Sequence, residues 1–342
     1  MLQNPSSNKK TPDPGAQPVT LSAALCTYQG AAYIAEQLQS MLNQTDLPDE
    51  IVIRDDGSSD DTLAICREIA QTSPVPIIIL PSGERLGVAG NFFACARACQ
   101  MDWILFADQD DRWLPERVAL FKAAIAEHAA APAIQSDALI ADAEMNPTGQ
   151  TLWRSYFFSP REQTLVQTGR GEVVLARHVF VTGAALAVQR EWLISLPAPA
   201  AQFYHDEWIG WFAGPALRLL PAATLLYRQH ENQQTGLQTT WRARWQHLLD
   251  SQLYARTLLE RDLERFPRLA TALRAFGLTE RADLVSAKTR FVQRRLSFSR
   301  FLPVRLFQIL ASILTGDYAR FAIARRSIIK DLIFPASLAR RH

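Results

Sequence analysis

Apolar positions in this chain fall into short runs separated by amphipathic stretches. Leu21 to Cys26 is a run of strand length that stops at Thr27, Tyr28, Gln29 and Gly30. The next stretch repeats apolar residues at Ile34, Leu38, Met41 and Leu42, the i, i+4, i+7, i+8 rhythm of one buried helical face. Ile51 to Ile53 is a second run, followed by a polar turn from Arg54 to Thr62. Ser59 or Asp60 is placed there to cap a helix on which Leu63, Cys66 and Ala70 share a face. Pro76 to Leu80 predicts a third strand, Gly87 to Gln100 a third helix, and Trp103 to Ala107 a fourth strand. Strands and helices alternating at this spacing predict an α/β fold with a parallel sheet of βαβ units.

The pattern changes twice further on. Residues 144 to 180, with Asn146, Pro147, Thr148 and Gly149, are polar and irregular, a long loop of the kind that commonly carries specificity. From Trp241 the chain turns helical and arginine-rich, and Phe301 to Leu314 forms an apolar band flanked by Arg295, Arg300 and Arg305. The chain thus divides into a disordered lead-in at 1–18, rich in Pro, Ser, Asn and Lys, an α/β domain at 19–240, and a basic helical C-terminal region at 241–342. No stretch of 18 consecutive apolar residues is present, so no spanning helix is expected.

The net charge of +2 hides an asymmetry. Residues 241–342 carry 20 Lys and Arg against 8 Asp and Glu, a surplus of +12, while the preceding residues carry 16 against 26, a deficit of −10. Such a division points to different partners for the two parts. The apolar band with its arginines suits a helix lying in an anionic membrane surface; the other reading packs these helices on the α/β domain with a solvated basic face. Nucleic acid is not an expected partner, because no recognition motif accompanies the charge. Cys26, Cys66, Cys95 and Cys99 show no CxxC spacing; Cys95 and Cys99, one turn apart on a helix, read as small core residues, and a reducing compartment fits the chain.

Chemistry is densest at Asp108, Gln109, Asp110 and Asp111, directly after the fourth strand. In an open α/β sheet ligands bind at the carboxyl ends of the strands, and carboxylates crowded there repel one another unless a cation neutralises them. Oxygen ligands of this kind suit Mg²⁺ or Mn²⁺ bridging a substrate phosphate, so the first expectation is a metal-bridged nucleotide diphosphate. Asp111 reads either as a cap for the helix after Pro115 or as a residue behind the metal ligands. Parallel strands share one carboxyl edge, so Asp55 and Asp56 after the second strand are expected in the same crevice as Asp108 and Asp110.

Taken together, the segment at 25–30, IRDDGSSDDT at 53–62 and FADQDDRWLPERV at 106–118 resemble the inverting family 2 glycosyltransferases of GT-A fold. GERLGVAGNF at 83–92, VTGAALAVQRE at 181–191, YHDEW at 204–208 and YRQH at 227–230 resemble its bacterial rhamnosyltransferase-like branch. The resemblance covers about residues 19–237 and implies a nucleotide-diphospho-sugar transferase domain, with a mainly parallel mixed sheet, followed by the C-terminal helices. It implies a metal-dependent inverting transfer of a sugar, with rhamnose indicated by the branch. The acceptor would be a saccharide or lipid-linked saccharide, used in cell-surface polysaccharide synthesis at the cytoplasmic face of the membrane.

By that resemblance Thr27, Asp55, Asp56, Asn91 and Asp108 contact the donor, and Asp110 is the first metal ligand, with Asp108 and His230 as further candidates. The catalytic base is expected at Asp206, where HDEW stands in place of the ED of most members, which keeps Glu207 as the alternative. Two other functions remain in view. A sugar nucleotidyltransferase would need a glycine-rich, lysine-containing loop near the first strand, which is missing; a non-catalytic nucleotide-sugar-binding protein sits poorly with intact acids at 108, 110 and 206.

Overall fold

The structure, a computed structural model, describes residues 18–333 apart from Ser82, Ala201 and 231–250, with the backbone alone at 251–255 and Ala324. The expected lead-in, apart from Pro18, and the expected boundary near 240 therefore lie outside the described residues.

The sheet is built on β1 (Leu21–Thr27), β2 (Glu50–Asp55), β3 (Ile77–Ile79) and β4 (Trp103–Asp108), paired in parallel in the order β3-β2-β1-β4. Their connecting helices are α1 (Ile34–Leu42), α2 (Thr62–Ala70) and α3 (Gly87–Ala98). Both faces of β1 and β2 are buried, which is why these strands read as continuous apolar runs rather than as alternation. On α1 the buried face is Ile34, Gln37, Leu38 and Met41. Gln37 is a polar member of that face, and its Nε2 donates to the Asp108 carbonyl at 2.9 Å.

Beyond β4 the sheet becomes mixed. It continues through β8 (Leu186–Gln189), which leads into α8 (Arg190–Ser195), then β6 (Ala133–Ala141), β9 (Arg218–Arg228) and β5 (Arg112–Trp113), with β7 (Pro147–Thr151) on β6. Strands β8 and β6 pair antiparallel to their predecessors, and β9 returns parallel to β6. Helix α4 (Arg117–Glu127) follows the acidic turn with Glu116 at its cap position. Asp111 does not cap it: this carboxylate is fully buried and accepts from the Arg228 backbone N–H at 3.1 Å.

Residues 144–180 are not irregular. They fold into β7, α5 (Leu152–Ser155), α6 (Pro160–Gln167) and α7 (Gly171–Leu175). Ser159, Pro160 and Glu162 form a capping box at the start of α6, a local signal that was legible in the sequence. The segment is fixed by buried Trp153, Phe158 and Phe180, whose rings contact in succession at 5.4 and 4.4 Å.

The C-terminal helices are α10 (Ser251–Ala275), α11 (Thr279–Leu296), α12 (Leu302–Leu314), α13 (Asp317–Phe321) and α14 (Ala324–Ile333). Phe266, Leu273, Val285, Phe291 and Tyr318 share one continuous core with Trp208 and Phe212 of α9 (His205–Ala213). Packing on the α/β part is therefore correct for this bundle, although α12 turns one face away from it.

One ion pair locks the two parts together. Glu207 on α9 accepts from Arg265 on α10, both side chains nearly buried, and Arg265 Nε also donates to Asp262 at 2.8 Å. Removing one partner strands a buried charge. Arg265→Ala should cost about 3–5 kcal/mol in urea unfolding, and a loss below about 1 kcal/mol would show that the pair is solvated.

Candidate functional site

The strand ends and α9 enclose a cavity of about 770 Å³, within the range of small-molecule sites. Thr27, Asp56, Asn91, Asp108, Asp110, Asp206, Glu207 and His230 all line it; Asp55 does not.

Local order at the carboxyl edge comes from side chains that bond the neighbouring backbone. Asp55 accepts from the Thr27 hydroxyl at 2.8 Å and from the Gly57 and Ser58 N–H groups at 3.0 and 2.7 Å, so its carboxylate builds the turn. Asp56 accepts from the Leu86 and Gly87 N–H groups at 2.7 and 2.9 Å and from Arg54 at 3.1 Å, holding the start of α3. Asn91 accepts from Arg54 at 2.5 Å. Thr27, Asp56 and Asn91 thus form the floor of the cavity while serving as its scaffold. Asp60 binds Thr62 and the Ala31 N–H rather than closing the α2 cap position, which is occupied by Asp61.

The acidic turn after β4 is clamped from both sides. Gln109 Oε1 accepts from the Tyr28 N–H at 2.8 Å, and Gln109 Nε2 donates to the Tyr28 carbonyl at 2.9 Å. A Cβ at position 30 would come within 2.2 Å of Gln109 Oε1, so Gly30 is needed for this close approach. From β9, Arg228 donates to the Asp110 carbonyl at 2.7 Å and also bonds the Ala143 carbonyl and Glu36. Buried Arg117 donates to Thr224 at 2.6 Å and to the Ala184 carbonyl at 2.7 Å, and stacks on Trp113.

These clamps hold three acids in view of one another. Burial, with the charges of Asp110 and Asp206, pushes the Asp108 carboxyl up to about 8. Among the described residues no side chain donates to it. His230 Nε2 lies 2.9 Å from Asp110 Oδ2, and its ring rests on Tyr33 with centroids 4.7 Å apart. Among the described residues no three His, Cys, Asp or Glu side chains form a closed metal cluster. Mg²⁺ and Mn²⁺ do not require one, since Mg²⁺ typically binds through one or two carboxylates with water and substrate phosphate. The donor set, a buried carboxylate beside Asp110 and an imidazole, fits such an ion.

On the α9 side, Asp206 accepts from the Gly183 N–H at 3.0 Å and from the Glu207 N–H at 2.7 Å. Burial pushes Asp206 up to about 6, against the opposing pull of these two N–H groups. A carboxyl held there is suited to accept a proton near neutral pH. Glu207 is committed to Arg265, whereas among the described residues the Asp206 carboxylate has backbone partners only. His205 is buried with both ring nitrogens unpartnered among the described residues and stacks on Phe92 at 4.0 Å; burial holds its pKa down to about 3, which keeps it neutral.

Sequence reasoning missed three cavity cations. Arg85 lies over the Tyr28 ring at 4.1 Å, and Arg261 and Arg265 reach the cavity from α10. Arg85 stands inside the 83–92 motif, but no local pattern marks Arg261 and Arg265, which come to the site only through helix packing.

The family model for glycosyl transferase family 2 matches residues 22–174. Among curated proteins, the chain is 28% identical over 236 residues to the dTDP-rhamnosyl transferase RfbG of Shigella flexneri, covering 66% of this chain and 78% of that one. It is 35% identical over 100 residues to chondroitin synthase of Escherichia coli, covering 29% of this chain and 14% of that one. The fold is similar to S. aureus TarS 1-349 in complex with UDP-GlcNAc, with a TM-score of 0.52 and 18% identity, covering 92% of this chain and 82% of that one. The strand-end acids and the mixed sheet agree with the matched segment, and residues 22–174 of this chain belong to glycosyl transferase family 2.

Proposed function

We propose that this chain is a metal-dependent inverting glycosyltransferase that moves a sugar from a nucleotide diphosphate to a hydroxyl of a saccharide or lipid-linked saccharide acceptor. The observation that carries the reading is one cavity holding Asp108, Asp110 and His230 together with Asp206. Asp110, with Asp108 and His230, would hold Mg²⁺ or Mn²⁺, which would supply stabilisation of the charge on the departing diphosphate. Asp56, Thr27 and Asn91 shape the nucleoside end, and Arg85 over Tyr28 supplies a cation near it.

Asp206 accepts the acceptor hydroxyl proton as the new C1–O bond forms and the C1–O bond to diphosphate breaks, a single displacement that inverts the anomeric centre. Glu207, tied to Arg265, positions α9. Because the similar protein from Shigella flexneri is named a dTDP-rhamnosyl transferase, dTDP-rhamnose is the first donor to try, and assembly of cell-surface polysaccharide at the cytoplasmic side is the setting. Calorimetry with a panel of nucleotide sugars, with and without Mn²⁺, tests the reading. We expect metal-dependent binding of one donor and its transfer with inversion. Binding indifferent to metal, or a product with retained configuration, would overturn it.

A further inference from the structure

The C-terminal bundle contains a helix whose polarity is reversed. An amphipathic helix packed on a soluble protein buries its apolar stripe and exposes its polar one. Helix α12 buries Arg305, Ile309 and Ser312 instead. Arg305 is held by the Ser299, Arg300 and Leu332 carbonyls at 3.2, 3.1 and 2.9 Å. The outward side carries Leu306, Phe307, Leu310 and Leu314, with Phe307 and Leu314 exposed to 72% and 79%. Of the eighteen large hydrophobic side chains exposed among the described residues, eight fall between 301 and 314. A contiguous patch of that kind marks a surface with a partner.

The surrounding charge identifies the partner. Residues 290–333 contain nine Lys and Arg and only Asp317 and Asp331 as acids. Both acids are buried and paired, Asp317 with Arg294 and Asp331 with Arg295. Helix α14, bonded to α12 through Arg305, exposes Ile329 and Ile333 together with Arg325 and Lys330. An apolar face rimmed by cations, with no neighbouring accessible acid among the described residues of this segment, complements an anionic lipid surface. Among the described residues no helix is long and apolar enough to cross a membrane.

We infer that α12, with α14 beside it, seats the protein on an anionic phospholipid bilayer, with Phe307, Leu310 and Leu314 entering the acyl boundary and α12 lying in the membrane plane. The seat stands on the C-terminal helices alone, so it survives a failure of the transferase reading.

The full chain should float with vesicles of phosphatidylglycerol and phosphatidylcholine, and much less with phosphatidylcholine alone. Phe307→Asp with Leu314→Asp should lower the bound fraction by about tenfold or more. Arg325→Glu with Lys330→Glu should remove most of the anionic preference and its salt sensitivity. Retained near-ultraviolet circular dichroism shows that each variant is folded. The inference is overturned if the parent does not float with anionic vesicles, or if the Phe307 and Leu314 variant floats equally well. It is also overturned if the parent is a lipid-free dimer that these two substitutions dissociate, since the face would then belong to a second copy.

Discussion

Asp206→Asn should lower turnover by about a hundredfold or more with donor affinity nearly unchanged. Asparagine keeps the size of the side chain, but the Gly183 and Glu207 N–H groups reach different oxygens of Asp206, so its single oxygen accepts from only one of them, and it takes no proton. Glu207→Gln should have a smaller effect on turnover and a larger one on stability, because the Glu207 carboxylate is bonded to buried Arg265. The pH profile separates the base from a merely structural acid. Burial holds the Asp206 carboxyl at about 6, so below that pH the group is protonated and cannot act. The kcat/KM of the parent should therefore fall tenfold per pH unit below about 6 and level above it, and this limb should vanish in Asp206→Asn.

Stability should move the other way. A carboxyl whose folded pKa lies above its unfolded value costs stability as pH rises from the unfolded value through about 6. Asparagine removes that cost but turns its NH2 toward one of the two N–H donors, so the variant should lose this pH dependence of melting below about 6. The opposite ranking of Asp206→Asn and Glu207→Gln would move the base to Glu207.

Local pattern reveals the parts of this site that depend on strand ends. Four parallel strands stop at polar turns, and because the strands share a direction, Asp56, Asp108 and Asp110 meet at one edge although about fifty residues separate them. Asp55 belongs to the same turn yet faces inward, and nothing in the sequence distinguishes it from Asp56. The side on which each carboxylate falls depends on the Thr27 hydroxyl and on the Leu86 N–H, contacts that form only when β1, β2 and α3 are assembled. Arg117 and Arg228, which brace the acidic turn, look like ordinary helix and strand arginines in sequence. The segment 144–180 looked irregular because its elements are short and polar on their exposed sides. Its order comes from the Ser159–Glu162 capping box and from Trp153, Phe158 and Phe180, which are brought together only in the fold.

Asp110→Ala should abolish transfer while leaving the fold intact, because the turn is held through the main chain: the Asp110 carbonyl accepts from Arg228 and Gln109 bridges to Tyr28. The side chain's own partner is His230 at 2.9 Å. Nucleotide diphosphate binding in Mn²⁺ should weaken by about 10- to 100-fold or more, since even outer-shell partners of bound metals contribute that much. Binding without metal should change little. His230→Asn distinguishes the role of the imidazole. As a direct ligand its loss should approach that of Asp110→Ala in Mn²⁺ affinity, while as a group that only orients Asp110 it should cost less and leave the metal requirement of transfer unaltered. Full activity of Asp110→Ala, or of the parent in excess chelator, would remove metal from the mechanism. The leaving diphosphate would then depend on the cavity's arginines, Arg85 and Arg261 first among them.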